Sequence, residues 1–241
     1  MARRSPRQTT PAWVAGIVLV ALAGACRGAG APPETDVRIV DIFARGADAS
    51  SPLVVWIHGR GGTPERFADW WRDFPAKVEV ALPQGFTAVG DGWSWFEAAY
   101  GMGDAELARA VGAAEDRLWR AIAVLAHGRR VIVAGFSQGG ILAYALAARH
   151  PDHITYAFPI AGGLPAMLRP RGHAPRAPVF AMHGADDDVI GVAWARATIA
   201  AFTADGAVAE LREFPGVGHR LTPEMLAELT ARVRAALDAA P

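Results

Sequence analysis

The sequence predicts an α/β domain built in layers, with a mostly parallel central sheet flanked by helices. Three observations predict it. Short apolar runs with little alternation recur along the chain, as in strands buried on both faces of a parallel sheet. Between them lie segments with apolar residues at helical spacing. The two kinds of segment alternate, which implies layered packing with right-handed crossovers.

The strand runs come in order. Residues 53–57 (Leu-Val-Val-Trp-Ile) end at His58-Gly59, residues 78–82 end at Pro83, and residues 130–136 run directly into Ser137. Residues 154–160, 179–182 and 208–214 complete the set. Among the helical segments, Leu107, Val111, Ala114, Leu118, Ile122 and Leu125 make one apolar face. Residues 141–148 are apolar all round, as in a helix pressed deep against a sheet. Residues 223–237 are amphipathic, with Thr222 as N-cap and Pro223 in the first helical position. Trp70 and Trp71 also fall in a helical pattern. No internal repeat, second domain or large cap insertion is visible.

Composition narrows the functional classes. Of 241 residues, 52% are apolar and 20% charged, enough for a large core and unlike a disordered chain. Lys+Arg and Asp+Glu are both 24, so the balance offers no electrostatic case for a nucleic-acid partner. The single cysteine, Cys26, rules out an intrachain disulfide, and no Cys/His cluster has metal-ligand spacing.

Residues 1–25 read as an export signal: Arg3, Arg4 and Arg7 precede an uncharged run from 12 to 25 that ends in small residues. That run is shorter than the ~20 residues a membrane-spanning helix needs. Leu22-Ala23-Gly24-Ala25-Cys26 resembles a bacterial lipobox, whose cysteine is lipidated, and Ala23-Gly24-Ala25 also fits ordinary signal cleavage. Residues 26–36 then form a flexible tether and residues 37–241 the folded domain. The expected location is outside the cytoplasm: a lipid-anchored membrane lipoprotein, or a periplasmic or secreted protein.

The strongest chemical motif is Gly135-Phe136-Ser137-Gln138-Gly139-Gly140, set between a buried strand and an apolar helix. That is the context of a G-x-S-x-G nucleophile elbow, in which glycines admit a strained turn and the serine hydroxyl projects beyond the sheet. A serine needs a base, and α/β-hydrolases supply the acid and then the histidine later in the chain. His219, in Gly216-Val217-Gly218-His219, sits just before the last helical segment and is the candidate base. His150 and His153 flank Pro151 at a helix end, and His173 lies in a Pro/Arg-rich loop. The acid falls in His183-Gly184-Ala185-Asp186-Asp187-Asp188-Val189, where chemistry alone leaves the three carboxylates open; those not used could cap the helix beginning near Val192.

These three segments resemble the phospholipase/carboxylesterase family of α/β-hydrolases, which includes acyl-protein thioesterases and small bacterial carboxylesterases. Matching segments run in the same order from about Leu53 to about Leu226. The resemblance implies the α/β-hydrolase fold without a large cap, and assigns the acid to Asp187, with Asp188 as runner-up, and the base to His219. His183 is then a structural marker of its turn. It also implies an oxyanion hole made by the backbone N–H groups of Gln138 and Arg60, the latter in His58-Gly59-Arg60-Gly61-Gly62, where the family more often has an apolar residue. The Arg60 side chain would rim the pocket or point to solvent. No Gly-Lys-Ser/Thr follows to make this a phosphate cradle.

The segment Asp91-Gly92-Trp93-Ser94-Trp95-Phe96-Glu97 resembles the family's aromatic stretch near the acyl pocket. Trp95 and Phe96 are therefore candidate substrate-binding residues, with core packing as the other reading. The expected activity is cleavage of carboxylic esters or thioesters through an acyl-enzyme on Ser137, with no cofactor or metal. The expected partner is a small-molecule or acyl ester. An amidase, a polyester depolymerase and a feruloyl-type esterase would use the same triad, and a non-catalytic exported binding protein would keep only the scaffold.

Overall fold

A computed structural model describes residues 37–48, 50–98, 102–172 and 177–239. The expected export segment, Cys26, the tether and His173 lie outside the described residues.

A seven-stranded sheet forms the centre. Its strands are β1 (Ile39–Ala44), β2 (Leu53–Ile57), β3 (Val78–Pro83), β6 (Val131–Phe136), β7 (Ile154–Ile160), β8 (Val179–Gly184) and β9 (Ala209–Phe214), in the order β1-β3-β2-β6-β7-β8-β9. Only β1 runs antiparallel, pairing Ile39 with Pro83 through Ala44 with Val78. The remaining pairs are parallel, so their carboxyl ends share one edge. β4 (Thr87–Val89) and β5 (Gly92–Ser94) form a separate small hairpin.

Strand side chains alternate between two apolar layers. Leu53, Val55, Ile57, Val131 and Val133 point to one face, where they meet Val111 and Leu118 of α2 (Asp104–Ala126), the buried length of α3 (Gln138–Arg149), and Phe202 of α4 (Val192–Ala204). Val54, Trp56, Ile132 and Ala134 point to the other, against Trp71 of α1 (Ala68–Arg72) and Met225, Leu229 and Val233 of α5 (Pro223–Asp238). Burial on both faces explains why these strands read as continuous apolar runs. Residues 141–148 are buried throughout, as their uniform apolarity requires. The Thr222 side chain accepts a hydrogen bond from Met225 N–H at 3.2 Å, capping α5 as its sequence predicts.

Each sheet edge is handled differently. β9 leaves its outer side unpaired, yet its exposed Glu210 and Arg212 are held by Arg232 and by Glu224, and Glu213 by Arg196. The other edge strand is β1. There Asp41 turns one buried carboxylate oxygen inward without a partner among the described residues. Arg129 is engaged with Glu79 at 2.6 Å, leaving Asp41 beside a second carboxylate. Burial first, and then repulsion from Glu79, lift the Asp41 carboxyl from its ordinary 3.8 to about 6.

A raised acid group favours folding while protonated. This contribution is complete below pH 3.8 and lost as pH rises through about 6. Asp41→Asn should therefore stabilise the protein at pH 8, by on the order of 1 kcal/mol once solvent screening of a partly exposed group is allowed for. At pH 4 it should change stability little. Urea unfolding at the two pH values checks this, and an equal gain at both would contradict it.

Candidate active site

Four loops meet at the carboxyl edge of the sheet, following β2, β6, β8 and β9. Ser137 occupies the turn between β6 and α3 with φ 57° and ψ −117°, a conformation that L-residues rarely adopt. Its N–H donates to the Ile160 carbonyl at 2.9 Å, and its own carbonyl accepts from Ile141 N–H at 3.0 Å. The strain is held by close backbone packing. A Cβ on Gly139 would stand 1.9 Å from the Ile57 carbonyl oxygen, and one on Gly135 would stand 2.4 Å from that of Gly139.

The hydroxyl so presented meets the imidazole of His219. Ser137 Oγ lies 2.9 Å from His219 Nε2, and His219 Nδ1 lies 2.7 Å from Asp187 Oδ2. Bonding to a carboxylate makes Nδ1 the protonated nitrogen, which leaves the Nε2 lone pair free to accept from the hydroxyl. The Phe136 ring supports the imidazole at 5.0 Å between centroids. This arrangement can pass the serine proton to nitrogen while the carboxylate fixes the tautomer.

Of the three adjacent aspartates, only Asp187 is buried, at 7% exposure; Asp186 and Asp188 face solvent. Asp187 Oδ1 accepts from the N–H groups of Val189 at 3.0 Å and Ile190 at 2.8 Å. The expected capping role for its neighbours is not found: α4 begins after Gly191 with no side-chain cap. His183 is more than a turn marker. Only 1% exposed, it bonds through Nε2 to the Ile190 carbonyl at 2.7 Å and stands 3.3 Å from Asp187 Oδ2, so it packs directly behind the acid.

Gln138 follows Ser137 in the chain, and Arg60 follows Gly59, on which a Cβ would stand 3.2 Å from the Ser137 Cβ. Neither the Arg60 nor the Gln138 backbone N–H enters a hydrogen bond among the described residues, so both remain available as donors. The loop carrying Arg60 is fastened from two sides. His58 accepts at Nε2 from Gly85 N–H at 3.0 Å and donates from Nδ1 to its neighbour's carbonyl at 2.7 Å. Burial holds the His58 imidazole below its usual range, keeping it neutral as that pairing requires. The β4–β5 hairpin supplies the second tie: Gly61 N–H donates to the Trp93 carbonyl at 2.8 Å, and Trp93 N–H to that of Gly62 at 3.0 Å.

In the sequence Gln138 is expected only as a backbone donor. Its buried side chain also joins the elbow to the aromatic segment. Oε1 accepts from Trp95 N–H at 3.0 Å and lies 3.1 Å from the Ser94 hydroxyl, while Nε2 donates to the Phe96 carbonyl at 2.8 Å. A buried glutamine beside an elbow was the available signal. Trp95 itself is 2% exposed and donates from its indole to the His58 carbonyl at 2.8 Å. Phe96 is buried in the same cluster. Both are buried, so each contributes to core packing beside the elbow. His150 joins Glu115 at 2.6 Å and stacks on Trp119, away from Ser137. Among the described residues, no group of three or more His, Cys, Asp or Glu could hold a metal ion.

Fold and side-chain geometry together define a protein of the α/β-hydrolase class. Residues 41–237 match the Phospholipase/Carboxylesterase family profile, and the chain belongs to that family. It is 33% identical over 153 residues to the proposed esterase NocK of Nocardia uniformis subsp. tsuyamanensis, a match covering 56% of this chain and 40% of that protein. It is 31% identical over 117 residues to acyl-protein thioesterase 1 of Eremothecium gossypii, covering 46% of this chain and 49% of the other. The chain thus spans less than half the length of either curated relative. The crystal structure of esterase PE8 superposes with a TM-score of 0.68 at 24% identity, covering 79% of this chain and 94% of that one, a likeness of fold.

Gly139→Ala should force the elbow away from β2, because the obstructing atom at Ile57 is backbone. A loss of about 3 kcal/mol or more is expected in urea unfolding. A variant as stable as the parent would refute the packing described.

Proposed function

We propose that the protein is a serine hydrolase cleaving carboxylic esters or thioesters through an acyl-enzyme. The observation that carries this reading is the hydrogen-bonded line from Ser137 through His219 to Asp187. Family membership and the esterase and thioesterase names of its relatives support the substrate class.

In the first step His219 Nε2 takes the hydroxyl proton as Ser137 Oγ attacks the substrate carbonyl carbon. The carbonyl π electrons move onto oxygen, and the N–H groups of Arg60 and Gln138 receive the resulting oxyanion. Collapse breaks the bond to the leaving oxygen or sulfur, which takes the proton from His219. Water then repeats the sequence, its proton passing to His219 and back to Ser137 as the acid departs. Asp187 stays ionised and stabilises the transient imidazolium. His183 and the N–H groups of Val189 and Ile190 hold that carboxylate in place. Export of the mature chain, with lipid attachment at Cys26, belongs to the same proposal on the basis of the leader and the lipobox-like segment.

Ser137→Ala should lower kcat/KM for a p-nitrophenyl ester by on the order of 10³-fold or more, and His219→Ala by a similar factor. Asp187→Asn should lose on the order of 10²-fold or more, with Asp188→Asn near the parent. A fluorophosphonate probe should label the parent and not Ser137→Ala. A parent that neither labels nor turns over would place the chain among non-catalytic binding proteins instead.

A further inference from the structure

Beside the elbow lies a cavity of about 160 Å³. Its apolar wall is formed by Trp56, Phe67, Phe136 and Leu221, and Arg60 and Arg66 stand at its polar side. Gly59 and Phe136 also line it, and both flank Ser137: a Cβ on Gly59 would stand 3.2 Å from the Ser137 Cβ. The cavity therefore adjoins the elbow through the two residues that flank Ser137. An apolar cavity of ~150 Å³ takes a guest the size of benzene, which limits the occupant to a short chain or a single ring.

The two arginines give this cavity its chemical character. Neither forms an ion pair among the described residues. The sole acidic residue between 58 and 67 is Glu65, and Arg38 takes it at 2.7 Å. Two unpaired guanidiniums at the rim of an otherwise apolar pocket favour a ligand with an apolar body and an anionic end, since Arg binds carboxylates through paired N–H donors. Both arginines are exposed, so water and salt screen this attraction and its selectivity depends on ionic strength.

We propose that this cavity is a specificity subsite, in which Arg60 and Arg66 receive the distal carboxylate of a short acyl group while Trp56, Phe67, Phe136 and Leu221 enclose its carbon chain. The preferred substrates are then half-esters of short dicarboxylic acids. The carboxylate takes no part in bond making, so acyl transfer proceeds as described above with a dicarboxylic acid as product. This inference rests on the ester-hydrolase reading and refines it.

The test compares p-nitrophenyl hemiglutarate with p-nitrophenyl pentanoate, after subtraction of spontaneous hydrolysis. At low ionic strength the parent should favour the hemiglutarate by about 10-fold in kcat/KM, and 0.5 M NaCl should erode that preference. Arg66→Gln should reduce the ratio about 3-fold, Arg66→Glu more, and the Arg60→Gln/Arg66→Gln pair should bring it to about 1. Fluorophosphonate labelling of each variant reports whether the elbow remains intact, independently of acyl preference. A parent without preference for the anionic ester, or a labelled double variant that keeps the preference, overturns the subsite. A parent inactive on both esters and unlabelled overturns the hydrolase reading itself.

Discussion

The backbone of α3 approaches β2 so closely at Gly139 that the Ile57 carbonyl occupies the place a side chain would need. The arrangement of the site depends on this contact. It forces the chain to turn sharply at the end of β6, and Ser137 absorbs the turn in a left-handed conformation. The same contact ties that turn to the end of β2, from which the loop bearing His58, Gly59 and Arg60 departs. Ser137 and the Arg60 loop are thereby fixed relative to each other by main chain rather than by flexible side chains. Preorganisation of this kind matters because donors already in position need no rearrangement as charge develops.

A second layer of polar contacts holds those loops. His58 and the β4–β5 hairpin fasten one side of the Arg60 loop, and the Gln138 amide fastens the elbow to the segment from Ser94 to Phe96. On the far side His183 and two backbone N–H groups hold Asp187. Ser137, Asp187 and the Arg60 loop are thus each held by polar neighbours. Trp95 belongs to the same layer: its indole supports the His58 carbonyl from within the core.

Much of this was legible in sequence because the relevant signals are local. Buried parallel strands announce themselves as short apolar runs, and α3 as a helix without a polar face. The elbow motif joins two such elements, so its position follows from theirs. The remaining features depend on contacts distant in sequence. β1 carries Asp41 in its middle, and its antiparallel place is decided by pairing with β3 some forty residues on. The hairpin strands β4 and β5 are three residues each, too short for periodicity to register. Three consecutive aspartates have the same chemistry, so their residue type leaves them open; the family resemblance selects Asp187, and its burial beside His219 agrees. The cavity beside the elbow combines residues from three separate stretches of chain, so no window of sequence contains it.

The outer side of β9 offers six residues of main chain to which another chain could add. Its charged side chains are already engaged with α4 and α5. A docking strand would have to displace or accommodate those ion pairs, and strand addition at that margin is disfavoured accordingly. At the opposite end β1 is the edge strand, so it and not β3 or β2 meets any chain adding there, and the loops around Ser137 and Arg60 stay one or more strands removed from that margin.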